Sequence, residues 1–261
     1  FVQFAGGEPM LMREHWQILD RLIALGCGDV LLNYNTNLSR LTVHDRDVIP
    51  LWNRFRHVVV DASVDGAGTR GELLRAGFSW RTYAEHARRI RREAPHVDIA
   101  AEVTVSVMNV LHLPDLHRRL VEEDVLPAQA FRMHPLFRPE HYAVSALTGP
   151  LRREARRRIR RHLRWIAGLV DAGDLEAGAA AALACRFTAV LRLLDMPHRP
   201  GAVRAFRLTT AALDDLRGEQ MGTVFPELAP MLRPSLRERL GGLLHVRLRV
   251  AKGIRPPTGI P

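Results

Sequence analysis

Cysteine is nearly missing from this 261-residue chain: Cys27 and Cys185 are the only two, far apart, and neither has a second cysteine or a paired histidine nearby. Structural zinc and iron–sulfur centres need three or four ligands at short, patterned spacings. No such centre can be built from these residues, and both cysteines read as small core side chains. Lysine is scarcer still, with Lys252 the only one. Long hydrophobic runs are also lacking. The longest uncharged apolar stretch, Ala177 to Cys185, is well short of the roughly 20 residues that span a bilayer. With no basic start followed by an apolar export segment, the expectation is a cytoplasmic chain without a membrane partner. Several catalytic signatures are absent as well. There is no G-x-S-x-G, no P-loop and no H-E-x-x-H, and none of the 12 histidines forms an H-x-x-x-H pair.

What is present is arginine and apolar bulk. Lys and Arg together number 38 against 28 Asp and Glu, a formal charge of +10, and hydrophobic residues make up 47% of the chain. That content supports a sizeable core. An arginine excess suits nucleic acid, anionic lipid or a phosphate-bearing substrate, or it simply forms a solvated basic face. The second reading is favoured, and nucleic acid is not the expected partner.

The apolar pattern of the first half alternates strand with helix. Strands are predicted near 1–5, 29–36, 57–64, 97–107 and 130–136, with helices near 11–25, 45–56, 80–94 and 113–123 between them. Strands separated by helices of this length imply a parallel sheet, because parallel pairs need crossover connections. Buried on both faces, such strands should be almost continuously apolar. Here one face is polar: Asn33, Asn35 and Asn37; Asp61, Ser63 and Asp65; Glu102, Thr104 and Ser106; and Arg132 with His134 each fall at the period of two that places them on one side. Helices cover the apolar faces, so the polar rows should converge on one concavity. A partial (β/α) barrel with its site at the carboxyl ends of the strands satisfies that.

The first strand runs directly into Gly6-Gly7-Glu8-Pro9, a turn where ligand can meet bare backbone. Phe4-Ala5-Gly6-Gly7-Glu8-Pro9, then Asn35-Thr36-Asn37, then Ser63-Val64-Asp65-Gly66 resemble the core of radical S-adenosylmethionine (radical SAM) enzymes. Asp65-Gly66 through Arg70-Gly71-Glu72 to Arg75-Ala76-Gly77 and Trp80, with Val107-Met108-Asn109-Val110-Leu111-His112-Leu113-Pro114, resemble the twitch-domain subgroup. Arg217-Gly218-Glu219 and Val224-Phe225-Pro226-Glu227-Leu228 fit the same subgroup.

The resemblance implies a radical SAM type of partial parallel barrel followed by a mostly helical C-terminal region. It implies S-adenosylmethionine as cofactor. Gly6, Gly7 and Glu8 would meet its methionine amino group, Glu8 by charge or by bracing the turn, with Asn37 close by. Ser63 and Asp65 would reach the ribose hydroxyls or the methionine end, Arg75 would grip the carboxylate with Arg70 as a substitute, and Ser106 and Asn109 would contact adenine or ribose. The complete enzyme would cleave the cofactor reductively with a [4Fe–4S] cluster, producing a 5′-deoxyadenosyl radical that abstracts hydrogen. A peptide or small-molecule substrate and a reductant such as flavodoxin or ferredoxin are implied too. Family members hold the cluster on C-x-x-x-C-x-x-C after the first strand, which this chain lacks. The chain is therefore expected to be a fragment that begins at the second strand of the barrel, with its cluster ligands outside it and no turnover of its own.

The expected domains are a barrel core over 1–148 and a helical extension over 149–261. In the extension, Leu151, Ala155, Ile159, Leu163, Ile166 and Val170 form an apolar stripe on a helix otherwise covered by arginine. Further helices are predicted near 176–194 and 202–217, before a loose end around Arg255-Pro256-Pro257. Two other readings are a cluster-free relative acting as a binding or scaffold module, and a basic RNA-associated protein.

Overall fold

The computed structural model describes residues 1–199 and 201–234; Arg255-Pro256-Pro257 lie outside the described residues. In chain order the elements are β1 Val2–Phe4, α1 Arg13–Ala24, β2 Leu32–Thr36, β3 Thr42–Val43, β4 Arg46–Asp47, α2 Ile49–Trp52, β5 Val58–Ser63, α3 Thr69–Leu74, α4 Trp80–Glu93, β6 Asp98–Val105, α5 Leu113–Glu122 and β7 Phe131–Pro135. A helical segment follows: α6 Gly149–Asp171, α7 Ala177–Leu193, α8 Ala202–Arg217, α9 Met221–Val224 and α10 Ala229–Leu232. No helix among the described residues is long and apolar enough to cross a membrane.

Five strands form one sheet in the order β1-β2-β5-β6-β7, every neighbour parallel. Apart from the separate β3–β4 hairpin, this is chain order. Crossovers of one hand then place all their helices on one face of the sheet. Burial alternates accordingly. Leu32, Tyr34 and Thr36, Val58, Val60 and Ala62, and Ala101, Val103 and Val105 are buried, whereas Asn33, Asn35, Asp61, Ser63, Glu102, Thr104 and Arg132 are half-covered. Register puts Asn35 opposite Asp61, Ser63 opposite Glu102 and Glu102 opposite Arg132. The polar rows therefore share the face without helices. β1 and β7 remain edges, so the described strands form an open sheet rather than a closed one.

Three expectations change. The helix predicted at 45–56 is instead the β3–β4 hairpin and the single turn α2. His44 and Asp45 take φ of 47° and 60°, the conformation of a two-residue hairpin turn, and Pro50 lies in the first turn of α2, where its missing N–H costs least. The strand predicted to 107 ends at Val105, which places Ser106 in a buried turn. Neither cysteine is core: Cys27 is half-covered and Cys185 exposed, and no disulfide joins them.

Helix α6 buries Leu151, Ala155, Ile159 and Ile166 as its stripe predicts, with His162 among them, while Leu163 and Val170 are only half-covered. It packs against α5 and α7, and α7 packs against β7. Phe131 and Phe187 stack at 5.8 Å with planes 4° apart. Full burial of each such ring is worth about 1.5–3 kcal/mol. Arginines fasten the same contact: Arg152 donates to the carbonyls of Ser145, Leu147, Leu194 and Met196, and Arg156 to Leu194 O and Asp195.

Candidate functional site

Parallel strands in chain order bring their carboxyl ends into one row, about 4.8 Å apart. The turn after β1 has Gly6 at φ 90° and Gly7 at φ 58°. A Cβ at either would meet nothing within 4 Å. Their requirement for glycine thus comes from backbone conformation, not crowding, and the turn's outer side is open. Glu8 is turned back onto the end of β2. Its Oε1 accepts from Thr36 Oγ1 at 2.5 Å, and its Oε2 from Asn37 N at 3.2 Å and Ser39 Oγ at 3.4 Å. Burial pushes this carboxyl above its usual range, against the downward pull of those hydrogen bonds. Of the two roles expected for Glu8, bracing the turn is the one its contacts serve. Asn37 joins the brace and closes its own loop, accepting from Ser39 N at 2.9 Å.

A second group gathers at the ends of β5 and β6. Arg75 Nε donates to Asp65 Oδ2 at 2.7 Å, and Asp65 Oδ1 accepts from Thr104 N at 2.9 Å. Arg75 Nη1 and Nη2 have no hydrogen-bond partner among the described residues, which leaves two donors beside the one on Asp65. Asn109 Nδ2 donates to Thr104 O at 2.9 Å and Asp65 O at 3.2 Å, and its Oδ1 accepts from Ser106 N at 2.8 Å. Ser106 Oγ accepts from Met108 N at 3.3 Å. Both Ser106 and Asn109 are buried with their polar atoms taken up in this turn, so they hold the turn rather than present side chains outward. Ser63 lies on the open face of β5, bonded to neither group.

The rest of the open face is internally bonded. Asp61 accepts from Asn33 Nδ2 at 3.1 Å and from Arg132 Nη1, Arg132 also reaches Asp98 at 3.0 Å, and His134 pairs with Glu102. These side chains pair with one another across four strands.

Arg70 is engaged by the C-terminal segment. It donates to Val224 O at 3.3 Å, lies 5.4 Å from the Phe225 ring and faces Glu227 and His112, while His112 Nε2 lies against Glu227 Oε1. Burial works to raise the Glu227 carboxyl, but the His112 hydrogen bond, a backbone hydrogen bond and the charges of His112 and Arg70 together hold it below the usual range. The Arg70, His112 and Val224–Glu227 stretches, 154 residues apart from Arg70 to Val224, thus meet and tie the C-terminal segment to α3 and to the start of α5. A cavity of about 130 Å³ beside this tie is shared with Asp65 and Asn109.

Sequence reasoning missed Thr36 and Ser39 as partners of Glu8. Thr36 has apolar parity on β2, and its hydroxyl was the only signal. Among the described residues no three His, Cys, Asp or Glu side chains gather as a metal-binding group.

No family model and no curated protein matches this chain. Among solved structures it is similar to one described as native anSMEcpe with bound AdoMet and Cp18Cys peptide, at 16% identity and a TM-score of 0.47, covering 66% of this chain and 48% of that one. The chain spans about half the length of that structure. A likeness of that degree adds nothing to the residue geometry above.

Proposed function

We propose that this chain is the S-adenosylmethionine-binding core of a radical SAM enzyme, with a partial barrel over 1–148 and a helical extension over 149–261. The observation that carries the reading is the pair of bonded groups, Glu8 with Asn37 and Asp65 with Arg75, at the carboxyl ends of adjacent parallel strands. When bound, that cofactor supplies radical chemistry for hydrogen abstraction from substrate. The residues fit its methionine end. Gly6 and Gly7 offer open backbone, Glu8 and Asn37 hold that backbone in place, and the Arg75 terminal nitrogens suit a carboxylate bidentately while Nε stays on Asp65. Asp65 retains a lone pair on each oxygen for a ribose hydroxyl, Ser63 stands beside it, and Ser106 and Asn109 fix the turn against which adenine or ribose would rest.

The same fit fails for a [4Fe–4S] cluster. Cys27 and Cys185 cannot furnish its three cysteine ligands, which in this reading are carried outside this chain. Substrate class (peptide or small molecule) and a flavodoxin or ferredoxin reductant rest on the resemblance alone. The cluster-free binding module uses the same residues and differs in needing no cysteine from elsewhere.

The test is a titration of the ¹⁵N-labelled chain with S-adenosylmethionine, followed by NMR. The Gly6, Gly7 and Asn37 amides should shift at millimolar ligand, and Arg75→Ala should raise the concentration needed about tenfold or more, since hydrogen bonds to charged groups are worth roughly 1.5–3 kcal/mol. Unmoved amides at these three positions, or an Arg75→Ala chain that titrates like wild type, would overturn the assignment.

A further inference from the structure

Helix α6 carries eight arginines between positions 152 and 164. Four are engaged within the chain: Arg152 and Arg156 at the junction with α7, Arg157 and Arg158 on Glu154. The other four, Arg153, Arg160, Arg161 and Arg164, are exposed and have no hydrogen-bond or ion-pair partner among the described residues. An arginine-rich composition does not account for this. Helix α4 is as dense in arginine, yet each of its five is served: Arg81 by Glu85, Arg88 by Glu123 O, Arg89 by Asp47, Arg91 by Asp124 and Arg92 by Glu93.

The unserved charges also oppose the field of their own helix. The first turn of α6 has no acidic residue, Arg152 and Arg153 stand at that positive end, and Asp171 closes the opposite end. This is the reverse of the arrangement that a helix dipole favours. Like charges four residues apart repel as well, as at Arg153 with Arg157 and Arg160 with Arg164. An anion that the described residues do not supply would relieve both effects.

At about 100° and about 1.5 Å per residue, Arg153, Arg157, Arg160 and Arg164 fall within an arc of about 60° and form a line about 16 Å long, with Arg161 beside it. The opposite side of α6 buries Leu151, Ala155, Ile159 and Ile166 in the core, so the helix has no apolar face left to enter a membrane. Protein interfaces centre on apolar and aromatic anchors, but none of the exposed large hydrophobic residues among those described lies on α6. Trp165 stacks on His162 at 5.0 Å and has the Arg118 guanidinium 5.0 Å from its ring, so it offers no platform for an unpaired base. What remains is a row of guanidinium groups, each able to hold a phosphate through two nitrogens. We propose that this row docks the phosphodiester backbone of a double-stranded nucleic acid, held by charge and without base readout. None of its residues belongs to the cofactor site.

Fluorescence anisotropy of the full chain with labelled RNA and DNA duplexes of arbitrary sequence tests this, with phosphatidylserine vesicles and polyglutamate alongside. Duplex should bind, and the tighter of the two identifies the preferred backbone. With four phosphates engaged, affinity should fall about a hundredfold or more between about 50 and 200 mM salt. A chain carrying Arg153→Gln, Arg160→Gln and Arg164→Gln together should melt no lower than wild type, bind duplex at least about tenfold more weakly at low salt, and show a slope of log affinity against log salt reduced by about 2.7. A control of equal charge change, Arg56→Gln with Arg81→Gln and Arg92→Gln at exposed positions, should stay within about threefold of wild type, because charges away from the row are screened. Failure of both duplexes to bind, an unaffected α6 variant, equal weakening by the control, binding that ignores salt, or vesicles or polyglutamate held as tightly as duplex would each overturn the proposal.

Discussion

Thr36 occupies an apolar position of β2 by parity, yet its hydroxyl is the shortest hydrogen bond that Glu8 makes. A Thr36→Val chain keeps the shape of the side chain and removes the donor to Glu8 together with the acceptor that Leu38 N uses at 3.0 Å. The Glu8 carboxylate is then left half-covered with one oxygen unserved, a loss expected to cost about 1–3 kcal/mol. Urea unfolding measures it directly, and an unchanged midpoint would mean that water replaces the hydroxyl at no cost. The same contact shows what was legible in the sequence at this scale. The Gly6-Gly7 turn announced itself through residue type, because φ near 90° and 58° is open to glycine at little cost. The pairing of Asp65 with Arg75 had no signal in the sequence, since ten residues across a loop obey no helical or strand period, and the resemblance gives each only a separate role toward the cofactor.

Elements follow their periodicity where packing agrees with it. Helix α6 turned its stripe inward as its spacing predicts, but its arginines divide into two kinds that composition cannot separate. Arg152 serves four carbonyls at the junction of α6 with the end of α7, whereas Arg160 is exposed. Arg152→Ala leaves those carbonyls short of donors and should cost roughly 1–3 kcal/mol; Arg160→Ala should stay within about 0.5 kcal/mol. Thermal melts of the two variants compare them, and equal melting temperatures would refute the distinction. The 45–56 segment failed as a helix because local turn chemistry at His44-Asp45 and Pro50 outweighed its apolar spacing.

At the scale of the whole molecule, three histidines are folded in the neutral state: burial pulls His15 and His117 to about 4 and His162 to about 3. Each binds a proton more readily unfolded, with a pKa near 6.5, so the unfolded state gains protons first as pH falls. Stability from these groups is therefore complete above about pH 6.5 and is lost as pH drops toward 4. His117 alone accounts for about 3 kcal/mol at 1.36 kcal/mol per unit. Glu8 and Glu102, raised by burial, act in the opposite sense but shift less. Urea midpoints at pH 7 and pH 4.5 should show net loss, and a rise on acidification would show the two carboxylates outweighing the histidines.

Residue order alone determined that five parallel strands alternate with helices and that each strand has one polar and one apolar side, because both patterns are periodic and local. Tertiary structure decided which polar groups satisfy each other and which stand at a site. Asp61 with Asn33 and Arg132, Glu8 with Thr36, and His112 with Glu227 are contacts between elements far apart in the chain. Such contacts depend on strand register and on which helix covers which face, and no short-range pattern encodes either.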